Sequence, residues 1–243
     1  MNSDLIGAGI LLAYYIVFVT LLPLLLKYWL KVPTEFIRKT HHIGYTLSIF
    51  LLLRLFSTWY FAVGAASLLA ILGYPALLLI EKTTFYRKHF VDRTSGEGEL
   101  RKQLVYVQFS FALLIFIFWG LLGTSWHYIA AVAVMAWGFG DAAAALVGKA
   151  IGRRRNLHRL IEKAKTFEGT MAMIIVAGAA LFLTLLFYAG LPWLHSLLIS
   201  IVVAPVCGIV ELFSRKGTDT ITVPFTASIL IFPLVQLLAF LGW

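Results

Sequence analysis

Apolar runs about as long as a bilayer is thick recur along the whole chain, and they dictate its fold class. They cover roughly residues 5–26, 41–56, 59–80, 104–122, 125–148, 170–190, 193–213 and 221–242. About 20 apolar residues in a helix cross the ~30 Å of hydrocarbon in a membrane. Hydrocarbon offers no water to unpaired backbone groups, so such segments must be helical. The sequence therefore predicts an all-α, polytopic integral membrane protein of about eight transmembrane helices. The number is seven if the second segment, which is short and carries Arg54, is re-entrant. With 61% hydrophobic residues, the chain is too apolar for a soluble core. No repeat or soluble domain interrupts it, and residues 1–243 read as a single transmembrane domain. The first and fifth spans share no resemblance of the kind that marks inverted transporter repeats. The start, Met1-Asn-Ser-Asp-Leu-Ile-Gly7, lacks a basic region, so no cleaved signal or transit peptide is expected. A lone Cys207 excludes an internal disulfide and a zinc-finger pattern.

The net charge of +9 suggests a nucleic-acid partner until its distribution is read. Lys and Arg number four in 27–40, six in 82–102, seven in 149–165 and two in 215–216, with Arg54 alone outside these stretches. These are alternate connections, so the positive-inside rule places them in the cytoplasm and both termini outside. The expected cytoplasmic loops are approximately 27–40, 81–103, 149–169 and 214–220. No nucleic acid is expected as a partner. Ten of the eleven Asp and Glu fall on the same side, Asp4 being the exception. Topology requires no carboxylates among its lysines. A site for a polyphosphate and Mg²⁺ requires both, because hard cations take oxygen ligands while Lys and Arg neutralise phosphate.

Asp141 is the most demanding of these acids. It stands in Trp137-Gly-Phe-Gly-Asp-Ala-Ala-Ala-Ala-Leu-Val-Gly148, and a carboxylate near the bilayer centre costs about 2.5–3.5 kcal/mol on insertion scales unless it meets a partner, a cavity or an ion. Ala145 and Gly148 follow on its helical face, which a ligand or another helix can approach closely. Lys165-Thr-Phe-Glu-Gly-Thr170 enters the sixth span. Thr166 is placed to cap it, with Glu168 in the first turn, and Lys165 is placed to meet a phosphate there. An ordinary capped helix start with a topology lysine reads equally well. Arg38-Lys39-Thr-His-His42 adds an Arg–Lys pair suited to phosphate, and a histidine that either orients a hydroxyl or is structural. Glu97 precedes the fourth span. Glu211 and Asp219 flank the last basic connection, where capping and catalysis explain Asp219 about equally.

The order of these motifs is Arg38-Lys39-x-x-His42, Gly98-Glu99, Gly140-Asp141-x-x-Ala-x-x-x-Gly148, Lys165-Thr-x-Glu168-Gly169-Thr170 and Glu211…Asp219-x-x-x-x-Pro224. It resembles the CTP-dependent lipid-alcohol kinase family, which includes dolichol kinase, phytol and farnesol kinases and the fungal type of diacylglycerol kinase. The resemblance runs from Arg38 to Pro224, and its most specific part is Gly140-Asp141…Gly148 with Lys165…Gly169. It implies that the essential residues are Arg38, Lys39, Asp141, Gly148, Lys165, Glu168 and Asp219. One departure stands out: the family often has Asp-Asn where this chain has Asp219-Thr220.

On that resemblance the reaction moves the γ-phosphoryl of CTP, or another NTP, to the hydroxyl of a membrane lipid alcohol: phytol, farnesol, a dolichol-type polyprenol or diacylglycerol. Asp141, Glu168 and Lys165 are then the expected catalytic residues. Arg38, Lys39, Lys165, Gly140, Gly148 and Gly169 bind the nucleotide phosphates. Asp141, Asp219 and Glu211 hold Mg²⁺, and His42 and Glu97 orient substrate. The expected location is the cell membrane, with the active site on its cytoplasmic face. No Gly-x-x-x-x-Gly-Lys-Ser/Thr occurs, so a P-loop is excluded. A phosphatidate cytidylyltransferase-like enzyme is the alternative within CTP chemistry, although its usual His-Gly-Gly and Asp-Arg-x-Asp are absent. An ion-coupled transporter using Asp141 as an intramembrane ligand is the alternative of another class.

Overall fold

The computed structural model describes residues 2–84, 98–153, 165–214 and 217–241. Eight long helices make up these residues, with no strand among them. They are α1 (Asn2–Trp29), α2 (Thr34–Leu55), α3 (Trp59–Ile80), α4 (Leu100–Leu121), α5 (Thr124–Ile151), α6 (Phe167–Tyr188), α7 (Trp193–Phe213) and α8 (Asp219–Phe240). All but α2 are long and apolar enough to cross a membrane, so the architecture is the expected polytopic all-α one. The chain divides into two compact units, Met1–Leu121 and Leu122–Trp243.

In the first unit α2 corrects the sequence reading. It begins at Thr34 rather than near residue 41, so Arg38 and Lys39 lie in its second turn and not in a loop spanning 27–40. The reason is local. Lys31 takes a left-handed backbone (φ 48°) and ends α1, and Pro33 is extended and starts a new helix. Glu35 sits in the first turn, where the helix dipole favours an anion, and pairs with Arg38 at 3.2 Å. Helix α2 equals α3 in length but falls short of the other seven in apolar content. It packs back along α1, antiparallel. Tyr14 donates to the Gly44 carbonyl at 2.8 Å, the Tyr15 hydroxyl meets Ser48 Oγ at 3.0 Å, and Asp4 accepts from Ser57 N and Oγ at 2.8 Å each. The chain thus returns to the end from which it started. Helices α3 and α4 form a second antiparallel pair, with Gly73 against Leu104 and Gly120 against Trp59.

In the second unit the four helices form a closed ring in which α5 packs on α6, α6 on α7, α7 on α8 and α8 on α5. Without a hydrophobic drive between helices in lipid, small residues that let backbones approach supply the association. Here they are Gly140, Gly148, Gly169, Gly178 and Gly208. A Cβ on Gly169 would lie 2.8 Å from the Ala144 carbonyl oxygen and 3.1 Å from Thr166 Oγ1. A Cβ on Gly178 would lie 3.4 Å from Ala204 Cβ, ordinary contact between α6 and α7. Gly169→Ala should therefore lower unfolding free energy by about 1–3 kcal/mol, the usual scale of overpacking. Gly64, in α3, has open space where a Cβ would go. Gly64→Ala should cost nothing, and thermal unfolding of the two variants in detergent checks the contrast.

Candidate functional site

The site is built at the end of the second unit where α5 and α7 finish and α6 and α8 begin. Lys165 immediately precedes the cap of α6. Its ammonium reaches Glu211 Oε1 at 2.9 Å, the Glu211 carbonyl oxygen, and the Ser214 carbonyl oxygen at 2.9 Å. An ammonium has three N–H donors, and all three are engaged. The last carbonyls of a helix have no intrahelical partners and carry the negative end of its dipole. Lys165 therefore caps the C-terminus of α7 while neutralising Glu211, which is buried. The sequence reading expects Lys165 beside a phosphate; the structure shows its ammonium on Glu211 and on the end of α7.

Residue Thr166 is the N-cap expected from the sequence, its Oγ1 accepting from Gly169 N at 3.1 Å. Glu168 is in the first turn, partly exposed. Gly148 and Gly169 are where α5 and α6 touch: a Cβ on Gly148 would sit 3.0 Å from Thr166 Oγ1. A Cβ on Gly140 would lie 2.6 Å from Met173 Sδ. The three glycines assigned to nucleotide thus lie in the α5–α6 seam, bringing the two backbones together just below the cap.

Carboxylates converge on the same end. Asp141 is half-buried on α5, and Trp137 lies one turn before it on the same face. The indole Nε1 of Trp137 donates to Asp219 Oδ2 at 3.2 Å. Asp219 is the first residue of α8 and not its cap. The sequence left capping and chemistry open for it, and its carboxylate is instead engaged across the ring with α5. Asp141 and Asp219 are both near enough to Glu211 to repel its carboxylate through space. Among the described residues no three His, Cys, Asp or Glu are grouped tightly enough to hold a metal by themselves. Mg²⁺ does not require that, since it keeps waters and binds through one or two carboxylates together with substrate phosphates.

The remaining sequence candidates lie in the first unit. Arg38, Lys39 and His42 are all buried on α2. Gln103 of α4 pairs with His42 Nδ1 at 2.9 Å, which fixes the ring between two helices. Glu97 lies outside the described residues. Sequence reasoning missed Trp137, Ser214 and Gln103. The four-residue offset of Trp137 from Asp141 was a readable signal. A main-chain carbonyl at the end of a helix, such as that of Ser214, leaves none.

Over 205 residues the chain is 27% identical to phytol kinase of Synechocystis sp., covering 82% of this chain and 78% of that one. No family model matches the chain, and no solved structure matches it.

Lys165→Met would strand the Glu211 carboxylate in a buried setting and should cost about 3–5 kcal/mol, as when one partner of a buried pair is removed. Glu211→Leu combined with Lys165→Met should recover part of that loss, because no buried charge is left over. Denaturant unfolding of the single and double variants in detergent measures the difference.

Proposed function

We propose that the chain is a lipid-alcohol kinase that transfers the terminal phosphoryl group of a nucleoside triphosphate, CTP by its motif resemblance, to the hydroxyl of an isoprenoid alcohol in the membrane. The observation that carries this reading is the similarity to phytol kinase along four-fifths of the chain. The arrangement around Asp141 and Lys165 supports it, because phosphoryl transfer asks a protein mainly for positioning and charge compensation. In the reaction the alcohol oxygen forms a bond to the γ-phosphorus. The bond from that phosphorus to the bridging oxygen breaks, its electron pair leaves with the nucleoside diphosphate, and the hydroxyl proton passes to a carboxylate or to water.

Asp141 and Asp219 are the residues assigned to Mg²⁺, which when bound supplies charge neutralisation to the triphosphate oxygens. Trp137 holds the Asp219 carboxylate in place. Lys165 sets a positive charge beside Glu211 and keeps the end of α7 ordered. Asp141 has a second role open to it, orienting the acceptor hydroxyl and taking its proton. Arg38 and Lys39 are assigned to phosphate by the resemblance. The alternation of basic connections supports a cytoplasmic side for this chemistry, where nucleotide is found.

The test is transfer itself. Purified protein in detergent, given Mg²⁺, γ-labelled CTP and a panel of lipid alcohols, should place label in the lipid extract, and chelation of the metal should abolish it. Label released only as pyrophosphate would overturn the kinase reading in favour of cytidylyl transfer. Asp141→Asn should reduce transfer by at least ~10²-fold, the scale of a lost general base. The variant should keep its elution profile and unfolding temperature. Wild-type turnover in that variant would remove Asp141 from the mechanism.

A further inference from the structure

Two adjacent histidines on α2, both buried, are held in different ways. His41 bonds the main chain of Val19 on α1, a contact that joins two helices. For His42 the partner is the side-chain nitrogen of Gln103 on α4, 2.9 Å from Nδ1. An amide nitrogen donates and has no lone pair with which to accept. Nδ1 is therefore the bare nitrogen of the ring, and the one proton of the neutral imidazole is on Nε2. Protonating the ring would take the Nδ1 lone pair that Gln103 holds, so the amide also keeps the ring neutral. Arg38 precedes His42 by one turn on the same face of α2, with Lys39 next to it. Both cations oppose a third positive charge beside them, and Glu35, paired with Arg38 at 3.2 Å, offsets one of them.

The tautomer decides what His42 can hold. A side chain that orients an attacking alcohol has to accept its hydroxyl proton, because a lone pair of the oxygen must point at phosphorus. A ring whose bare nitrogen is already taken cannot do that. Its Nε2–H can only donate, and a donor on the face of Arg38 and Lys39 suits an anionic oxygen. Being neutral, it adds a hydrogen bond beside those cations without repelling them.

We infer that Gln103 is a positioning residue: by holding Nδ1 it fixes His42 as the neutral Nε2–H tautomer, a hydrogen-bond donor to a phosphate oxygen of the nucleotide. The inference rests on the kinase reading, in which Arg38 and Lys39 are assigned to phosphate, and it moves His42 from the alcohol hydroxyl to the nucleotide. Neither residue makes or breaks a bond. The proton of the alcohol leaves by another group.

Nitrogen NMR of the full-length protein in detergent, with its 6 histidines isotopically labelled, reads the tautomer directly. The signals of His42 are those lost in His42→Gln, and they should show a bare Nδ1 and a protonated Nε2. Gln103→Glu is nearly isosteric at a half-buried position, but a carboxylate only accepts, so it should move the proton to Nδ1. With γ-labelled CTP and phytol, that variant should raise KM for CTP roughly tenfold, the scale of one hydrogen bond to a charged group. KM for phytol should be unchanged. His42→Gln, whose amide nitrogen can stand where Nε2–H does, should keep transfer within about tenfold of wild type, whereas loss of a general base costs ~10²-fold or more. Should one variant fail to fold, the wild-type spectrum and the other variant still decide. A wild-type proton on Nδ1, an unchanged CTP KM in Gln103→Glu, or a His42→Gln loss on the scale of a base would overturn the inference while wild-type transfer leaves the kinase reading standing. A wild-type protein that phosphorylates no alcohol overturns the kinase reading itself, and the phosphate role of His42 with it, whatever the tautomer.

Discussion

The Lys165 ammonium at the end of the four-helix ring is the interaction on which the second unit depends. It neutralises the buried Glu211 carboxylate and closes the main chain at the end of α7. The next residue, Thr166, caps α6, and its side chain fills the space left by Gly148 on α5. Three helix ends are therefore fixed within two consecutive residues. That rigidity is what a site needs when its chemistry consists of holding charges in place. The Trp137–Asp219 bond extends the same order to α8, so a carboxylate that would otherwise sit at a frayed helix start has a defined direction.

The two units handle buried polarity in different ways. In the second, charge is gathered at one end, where Lys165 pairs with the buried Glu211. In the first, polar groups are strung along α2 and its neighbours. Tyr15 bonds Ser48 and Gln108, His42 bonds Gln103, and Tyr14 bonds a main-chain carbonyl. These bonds lie at successive levels and join α1, α2 and α4. A chain of neutral hydrogen bonds of this kind specifies which helices pair, a task that apolar side chains perform poorly in a lipid environment.

Much of this was legible in the sequence. Apolar runs of bilayer length gave α3 and α7 nearly to the residue, because Trp59 and Trp193 begin them abruptly after short polar or glycine-containing connections. The cap at Thr166 was legible because the side chain, the spacing and the following glycine all agree. The start of α2 was not. A charged first turn reads as loop by hydropathy, whereas Glu35 and Arg38 stabilise helix through the dipole and an i,i+3 pair. The tasks of Lys165 and Trp137 were out of reach for a different reason: their partners lie 46 and 82 residues away in sequence. One is a main-chain oxygen, which no residue type announces.

The composition of α2 also bears on how the molecule is made. Its length suits a bilayer, but a segment bearing Glu35, Arg38, Lys39, two histidines and Arg54 gains little by leaving water alone. What lowers that cost is on its neighbours: Tyr14, Tyr15 and Asp4 arrive with α1, and Gln103 only with α4. Synthesis delivers α1 first, so its hydroxyls and carboxylate are in place when α2 emerges. The α2 histidine must wait until two further helices have been translated. Biogenesis of this half is thus tied to the order in which its hydrogen-bond partners leave the ribosome.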